Sequence, residues 1–499
     1  MLKSSLVSGY LAQAYISLIG IVIMPTYLDF LGDEAFGLIG FFLMLQGWLQ
    51  LLDLGLTPTL SREMSLFRAG AYNAQTAWQR LRSLEWILGG LASLCVLGFW
   101  LSRKWIAEGW LTLRNLDTNL VAICVFLMGF AGILRWLTGL YRAGLVGLEK
   151  QLWVNSTLVI FTTLKYILVL PVIALADTPP LAFFEFQALI GLVELGVFSW
   201  VLYRSLPGYP RSILPCPVAL RAMWPTASAM AFMAGMWIFL TQIDKLILSR
   251  VLPLEAFGYF TLAVAVAGGV LILVPPLNQV LQPRMTILVA QKQDDKLQML
   301  YHTATQVAAV IFFVLGGGLA LFAEPLLWAW TGNRTIAIAA APILFWYGLA
   351  NALIGLLVLP FMLQFAYGYL RLHILGNILL ALTLLPALVI ATLQVGAVGA
   401  GRVLFLANFL FLFLWVPLVH RRLMPQAVWQ WSFKDIFPIA LICLLLLWSA
   451  SMLLPHEAGR LTTALFIATA LLLSAATSVL SGNLTRGLVR QIILGRAER

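Results

Sequence analysis

Fourteen apolar stretches, each about 20 residues long or more, are the feature that most restricts what this chain can fold into. They fall near 7–28, 35–58, 83–102, 118–141, 152–176, 181–203, 222–249, 255–281, 301–323, 337–365, 373–392, 402–419, 435–455 and 461–481. About twenty apolar residues in a helix cover the hydrocarbon core of a bilayer. In that medium every backbone N–H and C=O must be satisfied within the segment or within a closed barrel. The stretches are too long and too uniformly apolar for barrel strands. The reading is an all-α polytopic membrane protein of about 14 transmembrane helices. Composition agrees, because 62% of the residues are apolar and 10% charged, whereas a soluble domain carries about 25% charged residues. "MLKSS" runs straight into the first apolar stretch without a small-residue cleavage site, so the first helix is expected to stay as an anchor.

Orientation follows from the loop cations. With the N-terminus inside, inner segments hold twenty-one Lys and Arg and outer segments seven. That bias places both ends in the cytoplasm. The net charge of +11 then reflects topology and contact with anionic headgroups, and no nucleic-acid partner is expected. One outer loop, "RKWIAEGWLTLRNLD", runs against the bias with three cations, and its Trp105 and Trp110 suggest a short interfacial helix.

"DEAFG" at Asp33–Gly37 and "LEAFG" at Leu254–Gly258 share Glu-Ala-Phe-Gly at a separation of 221 residues. The register continues through Gly47/Gly268, Leu52/Leu273, Leu56/Leu277, Leu60/Leu281 and Met64/Met285. Each copy starts the second span of a group of six. An even number of spans keeps the copies in the same orientation, as in parallel transporter repeats. The expected organisation is a first lobe over 1–205, a proline-rich cytoplasmic linker over 206–221, and a second lobe over 222–421. Two further spans and a cytoplasmic tail occupy 422–499. For Glu-Ala-Phe-Gly itself the simplest role is structural: an acid in the first helical turn and small residues for close packing.

A charge at the centre of a membrane helix costs about 2.5–3.5 kcal/mol on insertion scales, so each needs a partner or a wet cavity. The candidates are Asp53, Arg135, Lys165, Glu185, Glu194, Asp244 and Lys245, five of them in the first lobe. Gln46, Gln50, Asp53 and Thr57 are spaced 4, 3 and 4 apart and share one face of the second span. Gln13 and Ser17 do the same in the first. Thr226, Met230, Met233, Trp237, Thr241 and Asp244 form a stripe along the seventh. The repeat partners of Gln46, Gln50 and Asp53 are Ala267, Leu271 and Val274, and Pro275-Pro276 offers a kink there instead. Lys165 and Glu194 lie at matching depth on adjacent antiparallel spans, as do Asp53 and Arg135. Asp53, Glu194 and Asp244 are candidates to carry a coupling ion, since a desolvated carboxylate can take up a proton near neutral pH. Arg62, Arg142 and Arg284 stand at cytoplasmic span ends, where they serve either as inner anchors or as a cationic vestibule for an anionic headgroup. The four cysteines and four histidines are scattered without ligand spacing, so no metal site and no cofactor is expected.

"FLGDEAFGLIGFFLMLQGWLQLLDLGLTPTLSREMS" resembles the first helical hairpin of the polysaccharide-transporter, or O-antigen (Wzx-type) flippase, family. "QIDKLILSRVLPLEAFGYFTLA" is similar to that family's seventh-to-eighth span segment, and "YRAGLVGLEKQLWVN" to its loop after the fourth. The resemblance implies the multidrug/oligosaccharidyl-lipid/polysaccharide (MOP) superfamily fold. It implies a flippase that moves an undecaprenyl-pyrophosphate-linked oligosaccharide to the outer leaflet of a bacterial inner membrane, coupled to H+ or Na+. Asp53, Arg62, Asp244 and Lys245 fall in the matching segments, whereas Arg135, Lys165 and Glu194 are candidates from their depth alone. Expected partners are the lipid-linked oligosaccharide, the surrounding lipids, and a polysaccharide polymerase with its chain-length machinery. A lipid II flippase or a drug/cation antiporter of the same superfamily is the alternative. A membrane polymerase or ligase fits less well, because no outer loop is long enough to hold a catalytic cluster. No nucleotide-binding GxxxxGK[ST] motif is present.

Overall fold

The computed structural model describes residues 2–482 except 54, 72, 209–213 and 456–457, and side chains only in part within residues 2–10 and 219–234. Part of the 206–221 linker, Thr226, Met230 and Met233 of the seventh-span stripe, and the tail beyond 482 lie outside what it describes. Among the described residues, twelve helices are long and apolar enough to cross a membrane. We label them with two additions. The segments are α1 (Leu11–Leu31), α2 (Asp33–Asp53), α3 (Ala74–Trp110), α4 (Thr118–Gly147), α5 (Gln151–Ala174) and α6 (Pro179–Ser205). The 35-residue helix Pro217–Val251 is α7. Then follow α8 (Leu254–Ala290), α9 (Asp294–Leu321), α10 (Arg334–Ala366), α13 (Ala427–Met452) and α14 (Arg460–Ser481). The long run Arg371–Leu423 breaks at Gly396, whose φ of 65° and ψ of −143° are open to glycine alone. Its halves, 371–395 and 397–423, are α11 and α12, each long enough to span. The fourteen expected segments are thus all helical, with α7 and the break at Gly396 completing the twelve.

The chain forms two compact units, Met1–Gly258 and Tyr259–Arg499. In the first, α4 is the central element, packed against α3, α6 and the helix Leu56–Arg68 that continues α2. Its glycines admit close neighbours: Gly147 lies against the Ser61 backbone and Gly132 against Leu49. Without a hydrophobic drive between helices in lipid, such close approach supplies much of the association energy. In the second unit α9 holds the centre. Its run Gly316-Gly317-Gly318 meets a different helix at each residue: Gly348 of α10, Leu444 of α13 and Leu471 of α14. This is how the last two helices dock.

The duplicated helices break at overlapping positions, two to three residues apart in the repeat register. In α2, regular helix ends at Leu49, a 3-10 turn covers Gln50–Asp53, and helix resumes at Leu56. In α8, regular helix ends at Gly268, a 3-10 turn covers Gly269–Leu273, and helix resumes at Val274. The causes differ. The first break is held by Gly55, left-handed at φ 70°, and by Asp53, whose carboxylate accepts the Thr57 N–H at 3.2 Å. The second precedes Pro275-Pro276, which lack the N–H groups that a regular ladder would need.

The two Glu-Ala-Phe-Gly copies meet. A Cβ on Gly37 would overlap the Leu254 carbonyl, and one on Gly258 would fall 3.1 Å from the Gly37 nitrogen. Glu34 accepts the backbone N–H groups of Arg114 (2.6 Å) and Asn115 (2.9 Å), while the Arg114 side chain reaches Glu255 at 2.9 Å. The loop after α3 is therefore held by the acid of each copy. That loop contains no separate interfacial helix. With no breaker between Trp100 and Ala107, α3 runs on and ends in a π turn at Ile106–Trp110, where the Trp110 indole donates to Ser249 at 3.1 Å.

Candidate functional site

Charge within the membrane segments of the first unit gathers where α4, α5 and α6 run side by side. Arg135 and Arg142 are seven residues apart on α4 and so share a face. Both are exposed on a helix whose apolar window is 61% buried. A guanidinium within a membrane segment does not face hydrocarbon unpaired, so this face of α4 borders water. Arg135 donates to Gln46 Oε1 at 2.7 Å, which leaves Asp53 to its cap on Thr57 rather than to the arginine at matching depth.

Lys165 sits in a π turn, Leu164–Leu168, inside α5. The turn lies just before Pro171, whose missing N–H and ring bulk disturb the regular ladder. Side chains take up the carbonyls it displaces. The Gln187 amide donates to the Lys165 carbonyl at 3.0 Å, and the Tyr27 hydroxyl to the Tyr166 carbonyl at 2.8 Å. The bulge turns the Lys165 ammonium onto Glu194 of α6, and the two form a buried ion pair. Gln187 and Glu194 are seven residues apart, so one face of α6 holds both ends of Lys165. Arg142 lies within electrostatic reach of Arg135 and Glu194, and Lys165 within reach of Arg135. Three cations and one carboxylate leave two positive charges in surplus.

The other expected residues are placed separately. Arg62 is exposed and bonds Glu63 at 3.1 Å; Glu63 is buried and also paired with Arg80 of α3. Asp244 is buried beside Lys245 (3.3 Å), whose ammonium also donates to the Thr241 carbonyl. Arg284 and Gln50 are exposed, and Gln13 donates weakly to Ser17 at 3.4 Å. Trp237 is exposed. The structure also joins residues that the sequence leaves apart. Two of the scattered histidines, His302 and His420, come together with Tyr301 and Asp435 in the second unit. No spacing signals this, since His302 and Asp435 are 133 residues apart. Among the described residues no three His, Cys, Asp or Glu side chains gather as metal ligands.

Residues 2–289 match the family described as polysaccharide biosynthesis protein. No curated protein matches the sequence. In fold the chain is similar to the lipid II flippase MurJ in an inward closed conformation, with a TM-score of 0.67 at 14% identity over 97% of this chain and 99% of that one. It is similar to a multidrug resistance MATE family transporter of the MOP superfamily in an inward-facing conformation, with a TM-score of 0.65 at 13% identity over 85% and 99%. A MOP superfamily transporter from Pyrococcus furiosus gives 0.57 at 12% identity over 85% and 96%.

Proposed function

The chain belongs to the polysaccharide biosynthesis protein family, and from that premise we propose that it is a flippase for an undecaprenyl-pyrophosphate-linked oligosaccharide. The cargo would be an O-antigen or other surface-polysaccharide repeat unit, moved from the inner to the outer leaflet of a bacterial inner membrane with both chain ends cytoplasmic. The observation that carries the reading is the surplus of two positive charges where Arg135, Arg142 and Lys165 gather around the single carboxylate of Glu194. A diphosphate that leaves the headgroup region loses the hydration of its charges while about 30 Å of hydrocarbon lies ahead. Fixed guanidinium and ammonium groups offset that loss, and guanidinium presents a planar fork to phosphate oxygens. Arg135, Arg142 and Lys165 are the proposed diphosphate ligands. Arg62, Lys245 and Arg284 are proposed as entry and exit contacts, with Gln13, Ser17, Gln46, Gln50 and Thr57 as sugar-facing polar groups. Transport is driven by an H+ or Na+ gradient in this proposal. Asp53, Glu194 and Asp244 are the membrane carboxylates that could sense it, and protonation of Glu194 would free Lys165. Handover to a polymerase on the outer side follows from the cargo.

The MurJ likeness, which extends over 97% of the chain where the MATE likeness extends over 85%, supports a lipid-linked cargo over a soluble drug. The experiment is translocation in proteoliposomes. The purified protein is given an undecaprenyl-pyrophosphate oligosaccharide, and an impermeant glycan-cleaving enzyme reads outer-leaflet sugar. Protein-dependent cleavage is expected. No flipping of any glycan, together with efflux of an organic cation, would replace the reading with that of a drug antiporter.

A further inference from the structure

The second unit contains a fully buried polar cluster that neither the charge pattern nor the proposed cargo uses. Tyr301, His302, Thr305 and Gln306 share one side of α9. The end of α12 brings in His420. A π turn at the start of α13, Trp431–Ile436, brings in Trp431 and Asp435. The Trp431 indole donates to Thr305 at 2.9 Å, Tyr301 bonds His420 Nε2 at 2.8 Å, and the Gln306 amide donates to Asp435 Oδ1 at 2.8 Å. The other Asp435 oxygen is bonded to His302 Nδ1. None of the seven is more than 7% exposed. Polar groups this deep are almost always fully satisfied. Here two ring nitrogens, His302 Nε2 and His420 Nδ1, are buried without a hydrogen-bond partner among the described residues.

With Asp435 ionised, its oxygens only accept, and it takes an N–H from Gln306 and the Nδ1–H of His302. A neutral His302 then has its free lone pair on Nε2. A proton added there breaks no bond and turns a buried lone carboxylate into a balanced imidazolium–carboxylate pair. The titratable groups that face His302 are Asp435 from α13, His420 from α12 and Tyr301 from α9. On the surrounding elements the charged side chains Arg284, Asp294, Asp295, Lys296, Arg334, Arg421, Arg422, Lys434 and Arg460 are all exposed, and Tyr367, just past α10, faces Asp294.

We propose that this cluster is a proton-binding site, with His302 Nε2 as the acceptor and Asp435 as its counter-charge, and that a proton bound there, beside any taken up by the membrane carboxylates of the first unit, contributes to driving translocation. The last part rests on the flippase reading. In the expected topology the cluster lies toward the cytoplasmic ends of α9, α12 and α13. Because it is closed to water, a proton enters or leaves only when these helix ends part. Proton occupancy and helix arrangement are therefore linked, and a ligand that binds one arrangement better shifts the balance toward it.

Two measurements on the full chain test this. The first is an imidazole 15N NMR titration in lipid nanodiscs, in which only four histidines contribute. The His302 signal is assigned by its loss in H302Q or, if that variant does not fold, by elimination with His373, His420 and His456 variants. A proton-binding site predicts that it titrates within the range from about pH 5 to about pH 8 and that D435N displaces the titration. A His302 signal that is invariant over that range overturns the site. The second compares proteoliposome flipping with and without an imposed pH gradient. Gradient stimulation is expected in wild type and reduced in H302Q and D435N; stimulation that persists undiminished in both overturns the coupling role. If wild type flips no glycan, the flippase reading fails, while the His302 titration still decides the proton site.

Discussion

Replacing Glu194 with Gln would leave the Lys165 ammonium inside the first unit with Arg135 as a neighbouring charge. The side chains of Lys165 and Glu194 are 14% and 8% exposed, so solvent screens the pair little. Removing one partner of such a pair costs about 3–5 kcal/mol, because the remaining charge is stranded. The neighbouring Arg135 pushes toward the upper end. Lys165 has no easy retreat, since its backbone carbonyl is held by Gln187 and its helix turn by Tyr27. Replacing both with apolar residues of similar size, as K165M/E194L, removes the stranded charge and should return stability to within about 1 kcal/mol of wild type. The assay is denaturant unfolding of wild type, E194Q and K165M/E194L in detergent, followed by tryptophan fluorescence, with translocation measured on the same three proteins. The expected pattern is a strongly destabilised E194Q and a near-normal double variant that does not translocate. E194Q within about 0.5 kcal/mol of wild type would refute the argument, because the ammonium would then have found water on its own. A double variant with wild-type flipping would make the pair structural only.

Arg135→Ala should abolish flipping while membrane insertion and yield stay normal, and wild-type flipping rates would remove Arg135 from the cargo path. Gly37→Ala places a methyl on the Leu254 carbonyl and should cost about 1–3 kcal/mol by overpacking. Gly98→Ala, with nothing within 4 Å of the new methyl, should be neutral or stabilising by about 0.5–1 kcal/mol; thermal melts of both variants check the contrast. Glu34→Ala removes the acceptor for two backbone N–H groups of the loop after α3. Trypsin added to the side of the membrane that this loop faces should then cut at Arg114 faster than in wild type, and an unchanged rate would show that the loop is held by other contacts.

The number and extent of the membrane segments are legible in hydropathy alone, because a bilayer imposes one length on every span. The lysine–glutamate pair is also legible, since two charges at one depth on adjacent apolar helices have few other partners. The π turn that aims Lys165 is not, because its only local signal is Pro171 and many prolines leave no bulge. Asp53 illustrates a different limit. Read as a membrane carboxylate it suggests ion coupling, yet in "DLGLT" it is followed by a glycine and a threonine at the spacing of a helix restart. The structure uses it to bond Thr57 beyond the left-handed Gly55. The His302–Asp435 contact could not be found by any pattern within a single helix. It depends on which faces of three helices meet, and sequence periodicity supplies only the face.

The matching 3-10 turns in α2 and α8 have a mechanical consequence. Each duplicated helix is two stiff rods joined by a few residues with poorer hydrogen-bond geometry, so bending concentrates at the joint. Below the joint in α2, Leu56–Arg68 is 13 residues long, or about 20 Å at 1.5 Å per residue. A tilt of about 15° at the joint would carry its far end, and Arg68 with it, by about 5 Å at that rise, and Arg62 at mid-helix by about half as much, while the Glu34 end stays clamped to its loop. Gene duplication would then have copied a hinge along with the helix, and the two copies have kept it by different means, one with an aspartate and a glycine, the other with a pair of prolines.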